Sequence, residues 1–224
     1  MTRATQVPRS PEPGPPEQVT RFDALSVAWD ARVLEPRLWT AAQSWWAADL
    51  LCDAPPGAVL ELFAGVGHIG QLAVRGSMRH LVCVDLSPVA CEHARRNAAR
   101  HDMSERVEVR CAPIATALEP GESFAMVIAD PPWVPTARVR EFPEDPRVAI
   151  DGGRDGLDLA RESLGLAARC LAPGGSVLLQ LGSVEQAEAL RGPATDHDLH
   201  LEEVRPFERG TIARLIRGCH PAGG

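Results

Sequence analysis

A carboxylate, two prolines and an indole occupy consecutive positions at Asp130, Pro131, Pro132 and Trp133. Successive prolines remove two N–H donors and stiffen the chain, so they leave carbonyl groups facing a pocket and fix the flanking side chains. The Asp130 carboxylate and the Pro131 carbonyl can together accept both hydrogens of an N–H₂ group, and an indole can stack on a planar substrate. We therefore take these four residues as the candidate catalytic group. The alternative is a Pro-Pro loop with a buried tryptophan.

A glycine-rich segment, Glu61–Gly70, lies earlier, where a strand-like run turns into a helical one. Glycines there let the backbone approach a ligand closely, and a helix N-terminus offers free N–H groups. Gly65, Gly67 and Gly70 fit the pattern G-x-G-x-x-G, and Asp85 ends the next strand about 20 residues later, where an acid would bind ribose hydroxyls. This pattern alone does not distinguish NAD from S-adenosylmethionine.

Glu61 favours the second of these cofactors. It is an acid at the end of an otherwise apolar strand, four residues before the first glycine. A carboxylate there suits a ligand with a cationic amino-acid end and would repel a pyrophosphate. The alternative is a solvated charge at a strand end. We interpret His68 as a surface histidine at a helix N-terminus rather than as a catalyst.

Strand-length apolar runs alternate with helical periods after Gly57, which predicts a doubly wound, mostly parallel α/β sheet of the Rossmann-like type. The predicted strands are Ala58–Phe63, Leu81–Asp85, Val107–Cys111, Phe124–Asp130 and Ser176–Leu181, and the predicted helices are Gly67–Arg75, Pro88–Arg100, Leu157–Leu171 and Val184–Leu190. Two further runs, Leu199–Pro206 and Thr211–Arg217, are too close together for a crossover helix. They predict an antiparallel hairpin at the sheet edge, giving seven strands in all.

The rest of the chain divides into four segments. We expect residues 1–20 to form a disordered, proline-rich leader and residues 21–54 a cap of one or two amphipathic helices interrupted at Pro36. Residues 55–218 form the cofactor-binding domain, and residues 219–224 a flexible tail. Exposure of Trp45 or Trp46 on one helical face would mark a dimer surface, but the oligomeric state is not indicated.

Composition narrows the classes of function. The 224 residues carry a net charge of −7, which disfavours binding to nucleic acid through phosphate contacts. The chain has no lysine and no tyrosine, which excludes Schiff-base lysines, the P-loop lysine and tyrosine acid/base chemistry. The six cysteines form no C-x-x-C pair, so we expect no metal. We find no bilayer-spanning run and no secretory signal, and expect a cytoplasmic protein.

Taken together and in this order, the motifs resemble those of class I S-adenosylmethionine-dependent methyltransferases that act on nitrogen, whose motif is [Asn/Asp/Ser]-Pro-Pro-[Tyr/Trp/Phe]. Two further segments, Glu35–Thr40 and Asp151–Asp158, are similar to the HemK/PrmC branch, whose best-known members methylate a glutamine of peptide-release factors. The resemblance extends over about residues 31–217.

The resemblance implies S-adenosylmethionine as the cofactor and S-adenosylhomocysteine as its product. It implies that Glu61 holds the methionine amino or ribose end, and that Asp85 binds the ribose hydroxyls. The third strand lacks the acid that usually binds the adenine amine, so backbone groups at Cys111 and Ala112 are expected to serve instead. The full set of expected cofactor-binding residues is Thr40, Glu61, Phe63, Ala64, Gly65, Gly67, Asp85, Leu86, Cys111, Ala112 and Asp130.

The substrate is less defined by the sequence. Release-factor enzymes carry Asn-Pro-Pro-Tyr, whereas Asp130 can only accept hydrogen bonds when ionised, which suits an amine or amidine better than a carboxamide. The Asp-Pro-Pro form is common among adenine N6 and guanine N2 methyltransferases. The acidic charge and a shortened N-terminal domain favour a small molecule or a protein side chain, and nucleic-acid bases remain the alternative. A further alternative is an NAD(P)-dependent oxidoreductase. Four arginines are candidates for the pocket mouth: Arg37, Arg138, Arg140 and Arg154.

Overall fold

A computed structural model describes residues 14–218 of the chain. Its strands are β1 (Gln18–Phe22), β2 (Leu25–Trp29), β3 (Ala58–Leu62), β4 (Leu81–Asp85), β5 (Val107–Cys111), β6 (Phe124–Ala129), β7 (Leu171–Leu181), β8 (Leu199–Pro206) and β9 (Thr211–Arg217). Its α-helices are α1 (Ala41–Leu51), α2 (His68–Val74), α3 (Pro88–Arg100), α4 (Arg147–Ile150), α5 (Asp158–Cys170), α6 (Val184–Ala189) and α7 (Arg191–Thr195). Short 3₁₀ turns lie at Leu38–Thr40, Ile114–Thr116 and Thr136–Glu141.

Seven strands form one sheet in the order β5-β4-β3-β6-β7-β9-β8, which confirms the predicted fold class. β3 to β7 are parallel, and β9 pairs antiparallel with both β7 and β8. Apolar residues from both faces of the sheet are buried under helices, as the alternation of strands and helices requires. The strand order reverses between β3 and β6, and in open α/β sheets ligands bind at the carboxyl ends of the strands beside this point.

The N-terminal region is a β-hairpin followed by one helix, not a helical cap. Residues 18–29 form β1 and β2, which pair antiparallel across a turn where Asp23 has a φ of 49°. The Asn97 side chain of α3 accepts a hydrogen bond from the Ala28 N–H and donates to the Ala28 carbonyl. A residue distant in sequence therefore pairs both backbone polar groups of Ala28 in β2. Only α1 matches the predicted helical pattern. The expected leader lies largely outside the described residues, although Gln18–Thr20 belong to β1, and the expected tail, 219–224, lies outside them.

The two adjacent tryptophans of α1 have different surroundings. Trp45 is 53% exposed, and its indole N–H donates to Asp23 at a distance of 2.6 Å. Trp46 is buried, and the Arg205 guanidinium lies 3.8 Å from its ring centroid. Only the first of the two therefore presents apolar surface. Among residues 14–218, no helix is both long and apolar enough to cross a bilayer, and no group of three or more acidic, histidine or cysteine side chains is placed to hold a metal ion.

Candidate active site

The loop between β3 and α2 has backbone conformations that explain its glycines. Phe63, Gly65 and Gly67 all have positive φ, at 56°, 53° and 76°. A Cβ on Gly67 would lie 2.7 Å from the Gln71 side-chain nitrogen, so the start of α2 leaves no room for one. A Cβ on Gly65 would meet no atom within 4 Å. The backbone at Gly65 therefore faces open space at the carboxyl end of the sheet, which is the position for a ligand.

Asp85 lies directly beside this loop, as the sequence predicts. One carboxylate oxygen accepts a hydrogen bond from the Gly65 N–H at 2.7 Å, and the other accepts from the Ser87 N–H at 2.8 Å. Burial raises the pKa of Asp85 above its usual value. The neighbouring Leu86 is 61% exposed. Ala64 extends the ladder between β3 and β4, because its N–H donates to the Val84 carbonyl at 3.0 Å.

Glu61 is placed beneath the loop rather than at the protein surface. It is 2% exposed, and its two oxygens accept from the Gly70 N–H at 3.0 Å and from the Cys83 thiol at 3.2 Å. Burial raises the pKa of Glu61 to about 7, opposed by those two hydrogen bonds. A Cβ on Gly70 would lie 2.4 Å from the Glu61 carboxylate. The solvated strand-end alternative is therefore wrong, and the carboxyl group holds the first turn of α2 from inside the protein.

His68 is half-buried rather than fully exposed. Its ring packs edge-on against Phe22 of β1, with ring centroids 4.6 Å apart, and the side-chain atom Nδ1 is buried. Burial lowers the pKa of His68 to about 4, so the imidazole is neutral at physiological pH. The hairpin of β1 and β2, which the sequence pattern does not predict, covers part of this histidine and makes it less exposed than predicted.

Asp130 follows directly after the last residue of β6, across the crevice from the β3–α2 loop. Its side chain is half-buried, and burial raises its pKa to about 7. No hydrogen bond from any described residue contributes to that shift. Pro131 and Pro132 are buried. A carboxyl group left without a protein partner at a ligand-binding edge is available to a substrate.

Trp133 is held from two sides. Its carbonyl accepts a hydrogen bond from the Gln186 side chain of α6 at 3.0 Å. Its ring packs over Gly182, where an added Cβ would lie 2.5 Å from an indole carbon. A Cβ on Gly156 would lie 2.2 Å from the Trp133 carbonyl oxygen. The indole therefore has a fixed orientation, and it is half-buried rather than part of the core.

The segment after α4 contacts the other end of the Pro-Pro loop. The Val134 N–H donates to the Ile150 carbonyl at 3.0 Å, and the Gly152 N–H donates to the Val134 carbonyl at 2.9 Å. An added Cβ on Gly152 would lie 2.4 Å from the Pro132 carbonyl. The glycines of Asp151–Asp158 thus permit close backbone approach, and this segment fixes the candidate catalytic loop.

Thr40, Cys111 and Ala112, which are also expected to bind the cofactor, differ in their surroundings. Thr40 is buried, and its hydroxyl donates to the Arg37 carbonyl at 2.8 Å. The Ala112 N–H donates to the Asp85 carbonyl at 3.0 Å, so this amide is already used within the protein. Cys111 is exposed, with its thiol 3.7 Å from the Leu86 carbonyl.

The arginines expected at the pocket mouth divide into two pairs. Arg37 binds Asp145 at 2.5 Å, and Arg138 binds Glu141 at 2.8 Å. Within residues 14–218, Arg140 and Arg154 are exposed and form no ion pair. They are therefore the two guanidinium groups of the four that are free to meet an anionic group.

One buried residue beside the site, Gln43 of α1, is not predicted from the sequence. Its side chain donates to the carbonyls of Ala129 and Leu178. The only signal in the sequence is a polar amide inside the helical run Ala41–Leu51, where periodicity does not show which strand it contacts.

Comparison with known proteins identifies relatives. The family model described as a methyltransferase domain matches residues 59–153. The release factor glutamine methyltransferase of Cereibacter sphaeroides is 30% identical to the chain, over 95% of this chain and 84% of the relative. That of Geobacter sulfurreducens is 37% identical over 60% of this chain and 48% of the relative. The ribosomal protein uL3 glutamine methyltransferase of Burkholderia pseudomallei is 30% identical over 57% of this chain and 45% of its own length.

The chain spans about half the length of several of these curated relatives. Solved structures agree in fold. A methyltransferase from Pyrococcus furiosus aligns with a TM-score of 0.65 at 16% identity, over 88% of this chain and 90% of that chain. A ribosomal protein L11 methylase from Lactobacillus delbrueckii aligns with a TM-score of 0.63 at 11% identity, over 84% and 83%. With these relatives and this arrangement of loops, the chain belongs to the HemK/PrmC family of S-adenosylmethionine-dependent methyltransferases.

Proposed function

We propose that the protein transfers a methyl group from S-adenosylmethionine to the side-chain carboxamide nitrogen of a glutamine in a protein. The observation that carries the proposal is the half-buried Asp130 carboxyl group, which faces the ligand edge of the sheet without a hydrogen bond from the described residues. The relatives named above act on glutamine in a release factor and in a ribosomal protein. A protein side chain is therefore favoured over a small molecule as the acceptor.

The β3–α2 loop and Asp85 fit the cofactor. Open space above Gly65 accommodates a ligand that approaches the backbone closely. Each Asp85 oxygen accepts one backbone hydrogen bond and can accept another from a ribose hydroxyl. Exposed Leu86 offers an apolar surface to an adenine ring. In this arrangement Glu61 holds the loop by accepting from the Gly70 N–H. It therefore acts on the methionine end of S-adenosylmethionine through the loop rather than by direct contact.

The raised pKa of Asp130 supports a glutamine acceptor despite the difference from the asparagine of release-factor enzymes. With a pKa of about 7, a substantial fraction of this carboxyl group is protonated at neutral pH. A protonated carboxyl group has one O–H donor and a carbonyl acceptor, the same capacity to donate and accept that a carboxamide has. Asp130 can therefore hold a glutamine amide by accepting from its N–H₂ group and donating to its oxygen.

The chain's own residues orient the acceptor nitrogen. Bound S-adenosylmethionine supplies an electrophilic methyl group on a sulfonium. Asp130 and the Pro131 carbonyl accept the two N–H hydrogens, which aims the nitrogen at that methyl group, and Trp133 stacks on the planar amide. Orientation of this kind can contribute on the order of 7–11 kcal/mol to rate acceleration. Water then accepts the proton that the methylated nitrogen releases, because the protonated Asp130 carboxyl group already donates to the amide oxygen.

One other acceptor and one other reaction are less well supported. Methylation of a nucleic-acid base would use the same Asp-Pro-Pro motif, but the net charge of −7 disfavours a phosphate-rich partner. A nicotinamide-dependent oxidoreductase would leave Asp130–Trp133 without a role. We place the reaction in the cytoplasm, where release factors and ribosomes act.

The direct test uses purified peptide-release factor and ribosomal protein uL3 as acceptors with isotope-labelled S-adenosylmethionine. We expect label on a glutamine of one of them. Asp130→Ala should reduce turnover by at least about 100-fold, because orientation of the nitrogen is lost, while the affinity for S-adenosylhomocysteine falls less than about tenfold. Turnover near the wild-type rate in Asp130→Ala would refute the role given to this residue.

A further inference from the structure

We propose that Gln43 is a positioning residue, which sets the direction in which the chain leaves β6 and so places Asp130. This inference rests on the proposed function, because it assigns Asp130 the substrate contact. Gln43 lies in α1, far from Asp130 in sequence, and its side chain is fully buried against the sheet. It belongs to none of the motifs that the family resemblance uses.

The contacts of Gln43 fall on two neighbouring strands. Its side-chain nitrogen donates to the Ala129 carbonyl at 3.0 Å and to the Leu178 carbonyl at 3.1 Å. Ala129 is the last residue of β6 and pairs with Leu179 of β7. One amide group therefore links the end of β6 to β7 on the face that α1 covers.

The Ala129 carbonyl belongs to the peptide unit whose nitrogen is that of Asp130. Because a peptide unit is planar, holding this carbonyl fixes the orientation of the Asp130 N–H and restricts the bond that follows. The next two residues, Pro131 and Pro132, have a fixed φ and transmit this direction to Trp133. The loop is thus held at both ends, by Gln43 before Asp130 and by Ile150 and Gly152 after Trp133.

A purely structural polar group would be satisfied on both atoms, and Gln43 is not. Its side-chain oxygen is buried without a hydrogen-bond partner in the described part of the chain. An apolar side chain of similar size would avoid that cost. The amide is therefore explained by its donor contacts rather than by packing alone.

The test compares Gln43→Met with Ser44→Ala, a matched control in the same helix. Ser44 is also fully buried and donates from its side chain to a backbone carbonyl, that of Ile69 in α2 at 2.9 Å. Each variant deletes a buried donor, so both should lower the melting temperature by several degrees. Only Gln43→Met should lower kcat, by about 10- to 100-fold, with the KM for S-adenosylmethionine changed less than about threefold.

Amide hydrogen exchange supplies a readout that does not depend on turnover. In Gln43→Met, exchange at Asp130, Trp133 and Val134 should be about tenfold faster than in Ser44→Ala, because the loop has lost one of its fixed ends. If Gln43→Met does not fold, Gln43→Leu removes the same donor with a side chain of similar size and should show the same changes.

The outcomes separate the two proposals. Equal exchange in the two variants, or equal kcat at equal loss of melting temperature, would overturn the role of Gln43. Absence of methyl transfer by the wild type would refute the proposed function, and the exchange measurement would still decide whether Gln43 holds the loop.

Discussion

Three carboxyl groups at this site have raised pKa values in the free protein. Glu61 and Asp130 are both carboxyl groups whose pKa burial raises to about 7, and Asp85 is shifted in the same direction. Such clusters of perturbed acids are typical of functional sites, where a ligand with complementary groups offsets the cost. Asp130 differs from the other two because no described N–H group donates to it. Its ionised form therefore has no hydrogen bond within the described residues to offset the free-energy cost of burial.

This cost predicts a pH-dependent stability difference for Asp130→Asn. The unfolded chain releases the Asp130 proton near pH 3.9, whereas the folded protein retains it up to about pH 7. The folded state binds more protons between these values, so the stability of the wild type falls as pH rises through this window. Asp130→Asn removes the ionisation. Its gain in unfolding free energy over the wild type should therefore increase with pH and level off above about pH 7.

Urea unfolding of both proteins at about pH 5 and about pH 8 measures this gain. The exposed Asp196→Asn serves as the control for the loss of one negative charge. A gain for Asp130→Asn that is the same at both pH values would show that Asp130 is not held in a desolvated position.

At the scale of elements, the turn from β3 into α2 is the part of the structure that a ligand must approach. Gly65 and Gly174 are a natural comparison, because both have positive φ and an added Cβ on either would meet no atom within 4 Å. Gly174 lies in β7, three residues after its first residue, Leu171, at the amino end of the strand and therefore away from the carboxyl edge. The two positions share a left-handed backbone conformation, but only Gly65 lies at the edge of the sheet where the cofactor is proposed to bind.

Gly65→Ala and Gly174→Ala should each destabilise the protein by about 1 kcal/mol, the usual cost of a left-handed residue other than glycine. Only Gly65→Ala should weaken S-adenosylhomocysteine binding, by at least about tenfold, because its methyl group enters the space that the cofactor occupies. Calorimetric titration measures this affinity. Equal affinity in both variants would place the cofactor elsewhere.

The whole molecule explains which parts could be predicted from the sequence. The sheet follows from its periodicity because buried parallel strands are continuous apolar runs, and Asp85 and Asp130 follow from their places at strand ends. The hairpin of β1 and β2 could not be predicted, because it is stabilised by Asn97 of α3, a contact between elements distant in sequence. The surroundings of Glu61 and Gln43 were equally inaccessible, since both depend on contacts between elements distant in sequence.

We propose that a protein side chain accepts a methyl group at the Asp130 loop. The most direct measurement adds the purified protein and S-adenosylmethionine carrying an isotope-labelled methyl group to cell extract, which is then divided between protease and nuclease treatment. We predict label in macromolecules that protease releases and nuclease does not, and loss of that label with Asp130→Ala. Label that nuclease releases, label in small molecules, or no label in any fraction would contradict methylation of a protein side chain.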